Sequence, residues 1–408
     1  MTNDNDKDVG TITKKWLAYL GPGIITAALV FGPGSLTITS KLGAIYEYEL
    51  LWVIIVSTIL MMAFTSMGAR IGIATDYSLL QSFKKRWGKW ASLFTGVGIF
   101  LVTVSFQAGN AVAAGVAFAE PLGTSTVPWI LFVLICGILL LFFKSFYKVL
   151  EKVMILMVGI MLVSFLLTLI ITQPDMVQVV QGAVPSIPAG SLLLVVALVA
   201  SSFSIVGAFY QSYLVQEKGW KSGEVKKVVK ESFSGIFILG CISAMILVGS
   251  GAILYPQGIE VNSASDMGLA LQPLFGNWAV SLFMLGLFGA SFSSLIGNAT
   301  IGGTLLADAL SLGSDLSSKS VRVCISLIMI AGATIAIIFG ELPLELIVFA
   351  QGITIFIVPF IGAGIFILAN DKDLMGTLVN KKFDNFLGII GLLVLFGLAF
   401  GNFKNLFL

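Results

Sequence analysis

Long apolar runs, repeated along the whole chain, constrain this sequence more than any other feature. Eleven of them lie near residues 18–40, 50–72, 91–118, 127–145, 150–172, 190–214, 232–254, 277–305, 321–340, 344–368 and 384–402. An apolar run of about 20 residues crosses the hydrocarbon core of a bilayer as a helix. Inside lipid the backbone must satisfy its own hydrogen bonds, which an open sheet cannot do. The expected fold class is therefore an all-α membrane protein with eleven transmembrane helices. Composition agrees: 57% of residues are hydrophobic and 11% charged, with a mean hydropathy of +1.02.

Charge and residue usage remove several function classes. A net charge of +2 over 408 residues gives no basis for nucleic-acid binding. The chain has no histidine, so a histidine metal ligand, proton relay or Ser-His-Asp triad is excluded. Cys136, Cys241 and Cys324 sit far apart within apolar segments and read as small hydrophobes rather than a disulfide set. No nucleophile–base pair stands out in the apolar runs, so no enzyme and no cofactor is expected.

Loop charges set the expected orientation. With the N-terminus in the cytoplasm, Lys84, Lys85, Arg86, Lys226, Lys227, Lys319, Arg322, Lys381 and Lys382 all fall on the inner side. Glu47, Glu49, Glu120, Asp175, Glu260, Glu341 and Glu345 fall outside. Lys41 and Lys404 are the only basic exceptions. This is the positive-inside asymmetry, and an odd helix count puts the C-terminus outside. Residues 1–15 read as a disordered cytoplasmic tail, and 16–408 as one transmembrane domain of the plasma membrane.

Two apolar segments are interrupted at mid-depth. In Gly21 to Ser40 the break is Gly32-Pro33-Gly34-Ser35. Proline removes a backbone donor, and glycine tolerates unwound angles. In Leu192 to Gln216, Ser201, Ser202, Ser204 and Gly207 cluster at the same depth. A broken membrane helix needs protein or water to satisfy its freed backbone groups, so such breaks line cavities. Paired breaks in matching halves mark the midplane site of secondary transporters. The halves would be residues 16–180 and 181–370, an inverted repeat of five helices each, followed by an extra helix at 380–408. That repeat favours alternating access over a channel, and a monomer is expected.

Several landmarks, in order, resemble the Nramp family of proton-coupled divalent-metal transporters. They are Gly21-Pro22-Gly23 followed by Gly32-Pro33-Gly34-Ser35; Ala200 to Gln216, ASSFSIVGAFYQSYLVQ; Leu150 to Lys152; Leu282 to Ser294; and Ala350-Gln351 followed by Val358-Pro359-Phe360. The resemblance runs from about residue 18 to 370 and implies a LeuT-like fold with broken helices 1 and 6. The functional residues depart from the pattern. By resemblance, the family's metal-binding Asp stands at Gly32, its Asn at Ser35, its Met at Ser204, its helix-six His at Val206, and its helix-three carboxylate at about Phe106. Only Gln351 stands where the family has a contributing side chain.

The candidate substrate-binding residues are thus Gly32, Gly34, Ser35, Ser201, Ser202, Ser204, Gly207 and Gln351. Gln107, Asn110, Tyr210, Gln211 and Asn298 are candidates for the pathway. No charged side chain stands among them to replace the water shell of a bare divalent ion. Free N–H groups at half-helix N-termini favour an anion instead. The expected substrate is a divalent metal carried with an organic acid such as citrate. The alternatives are a hydrated, magnesium-like ion or an organic anion alone.

Overall fold

The computed structural model describes residues 32–141, 159–339 and 343–407, all helical apart from turns and loops. The first half of the interrupted N-terminal segment, the tail and Leu150 to Lys152 lie outside these residues. The principal helices are α1 (Pro33–Tyr46), α2 (Leu51–Ala74), α3 (Leu79–Trp87), α4 (Lys89–Leu122), α5 (Thr126–Leu140), α6 (Gly159–Thr172), α7 (Met176–Gln181), α8 (Leu192–Ser202), α9 (Ile205–Glu217), α10 (Val225–Ile253), α11 (Ala279–Ala309), α12 (Lys319–Ile338), α13 (Pro343–Ile353), α14 (Val358–Ala369) and α15 (Lys382–Phe407). Among the described residues seven helical segments are long and apolar enough to cross a membrane, or eight if the bent α13–α14 pair is one span. The shorter α1, α5 and α6 occupy the other apolar runs.

Local chemistry explains where helices start and stop. Ser78 opens α3 by accepting a hydrogen bond from the Gln81 N–H, and Lys84, Lys85 and Arg86 sit in its last turn. The serine satisfies an orphan donor, and the cations oppose the negative end of the helix dipole. Gly88, at φ +86°, then turns the chain directly into α4. The apolar run at 344–368 is bent by 45°. A single 3₁₀ turn, Thr354–Phe356, precedes Pro359 in the first turn of α14. Proline cannot donate to the preceding turn, so the helix bends there.

Two apolar clusters fill the interior. One joins α4, α11 and α12; the other joins α2, α8, α9 and α14. Small residues bring these helices close. Gly96 faces the Ala309 methyl, Gly303 faces Ile325, and Gly332 faces Gln107. Lipid is as apolar as leucine, so helix association in a bilayer relies on such close packing and on hydrogen bonds.

One polar knot ties α2 to the C-terminal helices. Arg70, buried in α2, donates to the Leu378 carbonyl at 3.1 Å and to Asn380 Oδ1 at 2.8 Å, and lies 3.4 Å from Asp384 Oδ2. Asn380 in turn donates to Asn385 Oδ1 at 3.1 Å. Arg70→Ala leaves those acceptors without their donor and should cost about 2 kcal/mol. The check is a lowered thermal midpoint in detergent, with Arg70→Lys intermediate because an ammonium cannot reproduce the forked geometry.

Candidate functional site

The structure brings most of the sequence candidates to one buried cavity of about 30 Å³. Its polar wall holds Gly32, Gly34, Ser35, Asn110, Ser201, Ser204, Gly207, Ser294, Asn298 and Gln351, and its apolar wall Phe106, Val206 and Ile301. A space of this size takes a few waters or one compact chemical group.

Helix ends form two sides of it. α1 begins at Pro33, and the Gly32 before it is extended, φ −116° and ψ −179°. Proline suits the first helical position, because its missing N–H would be an orphan anyway. No side chain caps this end, and Gly32 contributes only its carbonyl, to the Leu36 N–H at 3.3 Å. The N–H groups of Gly34 and Ser35 therefore lie in the first turn without an intrahelical acceptor.

The second break lies at Phe203 and Ser204, between α8 and α9. The Phe203 N–H closes α8 on the Val199 carbonyl at 2.7 Å. Ser204 then caps α9, its Oγ accepting from the Gly207 N–H at 3.1 Å. So one of the two helix N-termini is already capped by its own serine, and the other has no side-chain cap among the described residues. Ser201 donates to the Leu198 carbonyl at 3.0 Å, which leaves its oxygen free to accept.

α4, α11 and α13 supply the amides. Asn298 donates to the Thr103 carbonyl at 2.7 Å and to Gln107 Oε1 at 3.2 Å. Those two bonds fix its orientation, with its oxygen as the remaining polar atom. Two buried atoms on the cavity wall have no hydrogen-bond partner among the described residues: Asn110 Nδ2 and Gln351 Oε1. Buried polar atoms are almost always paired in folded proteins, so unpaired ones at a cavity point to something the cavity receives.

The remaining sequence candidates stand outside the wall. Ser202, one residue on from Ser201, is buried with its hydroxyl unpartnered among the described residues; one residue of helix rotates about 100°, which turns it off the cavity face. Gln107 stands behind Asn298. Tyr210 stacks on Tyr213 at 6.2 Å, and Gln211 donates to Ser232 Oγ at 2.9 Å. Ser294 was not among the sequence candidates. Its signal was the spacing Ser294–Asn298–Ile301, which places three residues on one helix face.

The two glycines of the first break are held tightly. A Cβ at Gly32 would lie 2.7 Å from Ser294 Oγ and 3.3 Å from Asn110 Oδ1, and one at Gly34 would overlap the Gln351 amide. Their lack of a side chain is what lets these polar groups reach the start of α1. Among the described residues no charged side chain lines the cavity, and no cluster of three or more His, Cys, Asp or Glu could hold a metal ion. Lys41, one of the two basic exceptions to the loop asymmetry, shares a separate crevice with Glu345 further along α1.

Interrupted helices converging on a neutral polar cavity, within a shell of apolar helices, define the class as a membrane transporter of the broken-helix kind. The particular lineage follows from comparison with known proteins. Residues 23–403 match the model of the family described as natural resistance-associated macrophage protein-like, and the chain belongs to this Nramp family. It is 26% identical over 396 residues to the divalent metal cation transporter MntH of Clostridium acetobutylicum, covering 92% of this chain and 88% of that one. It is 23% identical to the protein of the same name from Caldanaerobacter subterraneus, covering 94% and 91%. Among solved structures, a mutant of the Eremococcus coleocola manganese transporter superposes with a TM-score of 0.77 at 18% identity, covering 99% of this chain and 89% of that one. The nucleobase-cation-symport-1 transporter Mhp1, in a closed conformation, gives 0.58 at 12% identity, covering 94% and 93%. The fold is thus the LeuT-like one, shared beyond the family itself.

Proposed function

We propose that this protein is a secondary transporter that moves a divalent metal across the plasma membrane by alternating access, with the metal carried as a complex with an organic acid such as citrate. The family and the names of its relatives support a divalent metal such as manganese. The observation that carries the finer statement is the cavity wall, which is polar on one side, apolar on the other and, among the described residues, without a charged side chain. A divalent ion stripped of water there would have no opposite charge to replace its hydration, a large penalty in a low-dielectric interior. An organic acid brings that charge with it. The cavity is about 30 Å³, so a whole chelate enters only when the helices around it open.

The architecture belongs to the same proposal: eleven spans, two inverted five-helix halves, a cytoplasmic N-terminus, an external C-terminus and a monomeric carrier. Gly32, Gly34, Ser35, Ser201, Ser204, Gly207 and Gln351 form the substrate site, with Asn110 and Asn298 closing it. A second reading, a hydrated magnesium-like ion held through its waters, draws on the unpartnered Gln351 Oε1, since neutral oxygens suit an ion that keeps part of its water shell.

The test is manganese uptake into proteoliposomes, with and without citrate, following radioactive metal and labelled citrate together. The expected result is saturable metal entry that requires citrate, both labels accumulating in fixed proportion. Equal uptake of free metal without citrate would remove the chelate reading and leave the hydrated ion.

A further inference from the structure

We infer that the start of α1 is a carboxylate-binding seat, formed by the N–H groups of Gly34 and Ser35 together with Asn110 Nδ2. The inference rests on the organic-acid reading and names the atoms that hold the acid.

Three observations converge on it. First, α1 is a helix of 14 residues whose N-terminus has no side-chain cap, although it faces the cavity. An open N-terminus offers N–H donors and a partial positive charge, which together favour an anion. The neighbouring α9 start is capped by Ser204, so the two ends are not equivalent and the anion is directed to α1. Second, Asn110 is 3% exposed, lines the same cavity, and has its Nδ2 without a partner among the described residues. An amide N–H₂ is a donor only, so it requires an acceptor from whatever occupies the cavity. Its Oδ1 lies 3.3 Å from the position of a Gly32 Cβ, which places Asn110 against the start of α1. Third, Gly32 brings no carboxylate side chain of its own to this end of the cavity, which would repel an anion there.

The seat recognises a carboxylate group and not its carrier, so a metal-free acid should also occupy it. The full chain is reconstituted in nanodiscs in metal-stripped buffer. Its thermal midpoint and isothermal binding are then followed with citrate, with acetate, and with acetamide as the uncharged isostere. Citrate and acetate should raise the midpoint with saturable dependence on concentration, and acetamide should not. Asn110→Asp, nearly isosteric but anionic, should weaken citrate binding at least tenfold, and Asn110→Ala, which only deletes the donor, should weaken it about threefold to tenfold. The unliganded midpoint of each variant reports whether it folds.

Equal shifts with acetamide, no shift with any acid, or unchanged citrate binding in a folded Asn110→Asp protein would overturn the seat. The seat and the metal reading fail separately. Citrate binding that is sensitive to Asn110, without metal entering vesicles, keeps the seat and discards the metal cargo. Citrate-dependent metal uptake that is unaffected in Asn110→Asp keeps the cargo and discards the seat.

Discussion

Placing an aspartate at position 32 together with a smaller residue at 294, G32D with S294G, should raise the affinity for free manganese about 30-fold and abolish any benefit from citrate. By family resemblance a metal-binding carboxylate occupies this position, and this chain has glycine there. A carboxylate about 4 Å from a unit charge is worth about 4 kcal/mol at the effective dielectric of a partly solvated protein site. Desolvating the new side chain consumes part of that gain. A net of about 2 kcal/mol corresponds to the 30-fold change. The same charge would repel an organic acid, so the two substrates should respond in opposite directions.

The single variant G32D should show a smaller effect. A Cβ at position 32 lies 2.7 Å from Ser294 Oγ and 3.4 Å from Ser294 Cβ. Rotating the serine hydroxyl relieves the shortest contact, its Cβ stays at ordinary contact distance, and Asn110 Oδ1 at 3.3 Å must give by a few tenths of an ångström. G32D alone is expected to lose a little thermal stability and to gain part of the manganese affinity, and S294G to restore the stability and complete the gain. Isothermal titration with manganese, on the two single variants and the double, separates these outcomes. A folded double variant with unchanged manganese affinity would show that charge at this position does not decide the cargo.

How far the sequence revealed this site depended on backbone chemistry. The helix start at Gly32-Pro33-Gly34 was legible because proline and glycine impose local geometry whatever surrounds them. The second break was legible only to within a few residues. Its marker was a cluster of serines, and serine serves helix packing, capping and ligand contact alike. Ser201 lines the cavity and Ser204 both lines it and caps α9, whereas Ser202 faces away from it. That assignment depends on helical phase at the break, which residue type does not encode. Ser294 and the bend before Pro359 were missed for related reasons. The serine lies in a small-residue helix where packing is the ordinary role. The proline lies in the first turn of α14, a position a straight helix start would also tolerate. The role of Asn110 became specific only once its nitrogen was seen to lack a partner at the cavity.

Gly68→Leu should abolish transport and unfold the protein at a markedly lower temperature, although Gly68 touches no cavity atom. A Cβ at Gly68 would run into the backbone carbonyl of Ala208, and one at Gly72 would sit 2.5 Å from the Ser212 carbonyl. Backbone atoms cannot rotate away as a side-chain tip can, so α2 and α9 must separate. α9 starts at Ile205, directly after Ser204, and carries Val206 and Gly207 on the cavity wall. Displacing it moves one wall of the site. Overpacking a close helix contact ordinarily costs about 1–3 kcal/mol for a small addition and more for a large one. Gly68→Ala should therefore lower the thermal midpoint while leaving measurable uptake, and Gly68→Leu should leave none. Uptake assays alone would not separate lost folding from a displaced wall. The informative measurement is citrate binding by the folded fraction of Gly68→Ala. A weakened affinity with unchanged maximal occupancy places the effect on the site through α9, and an unchanged affinity confines it to stability.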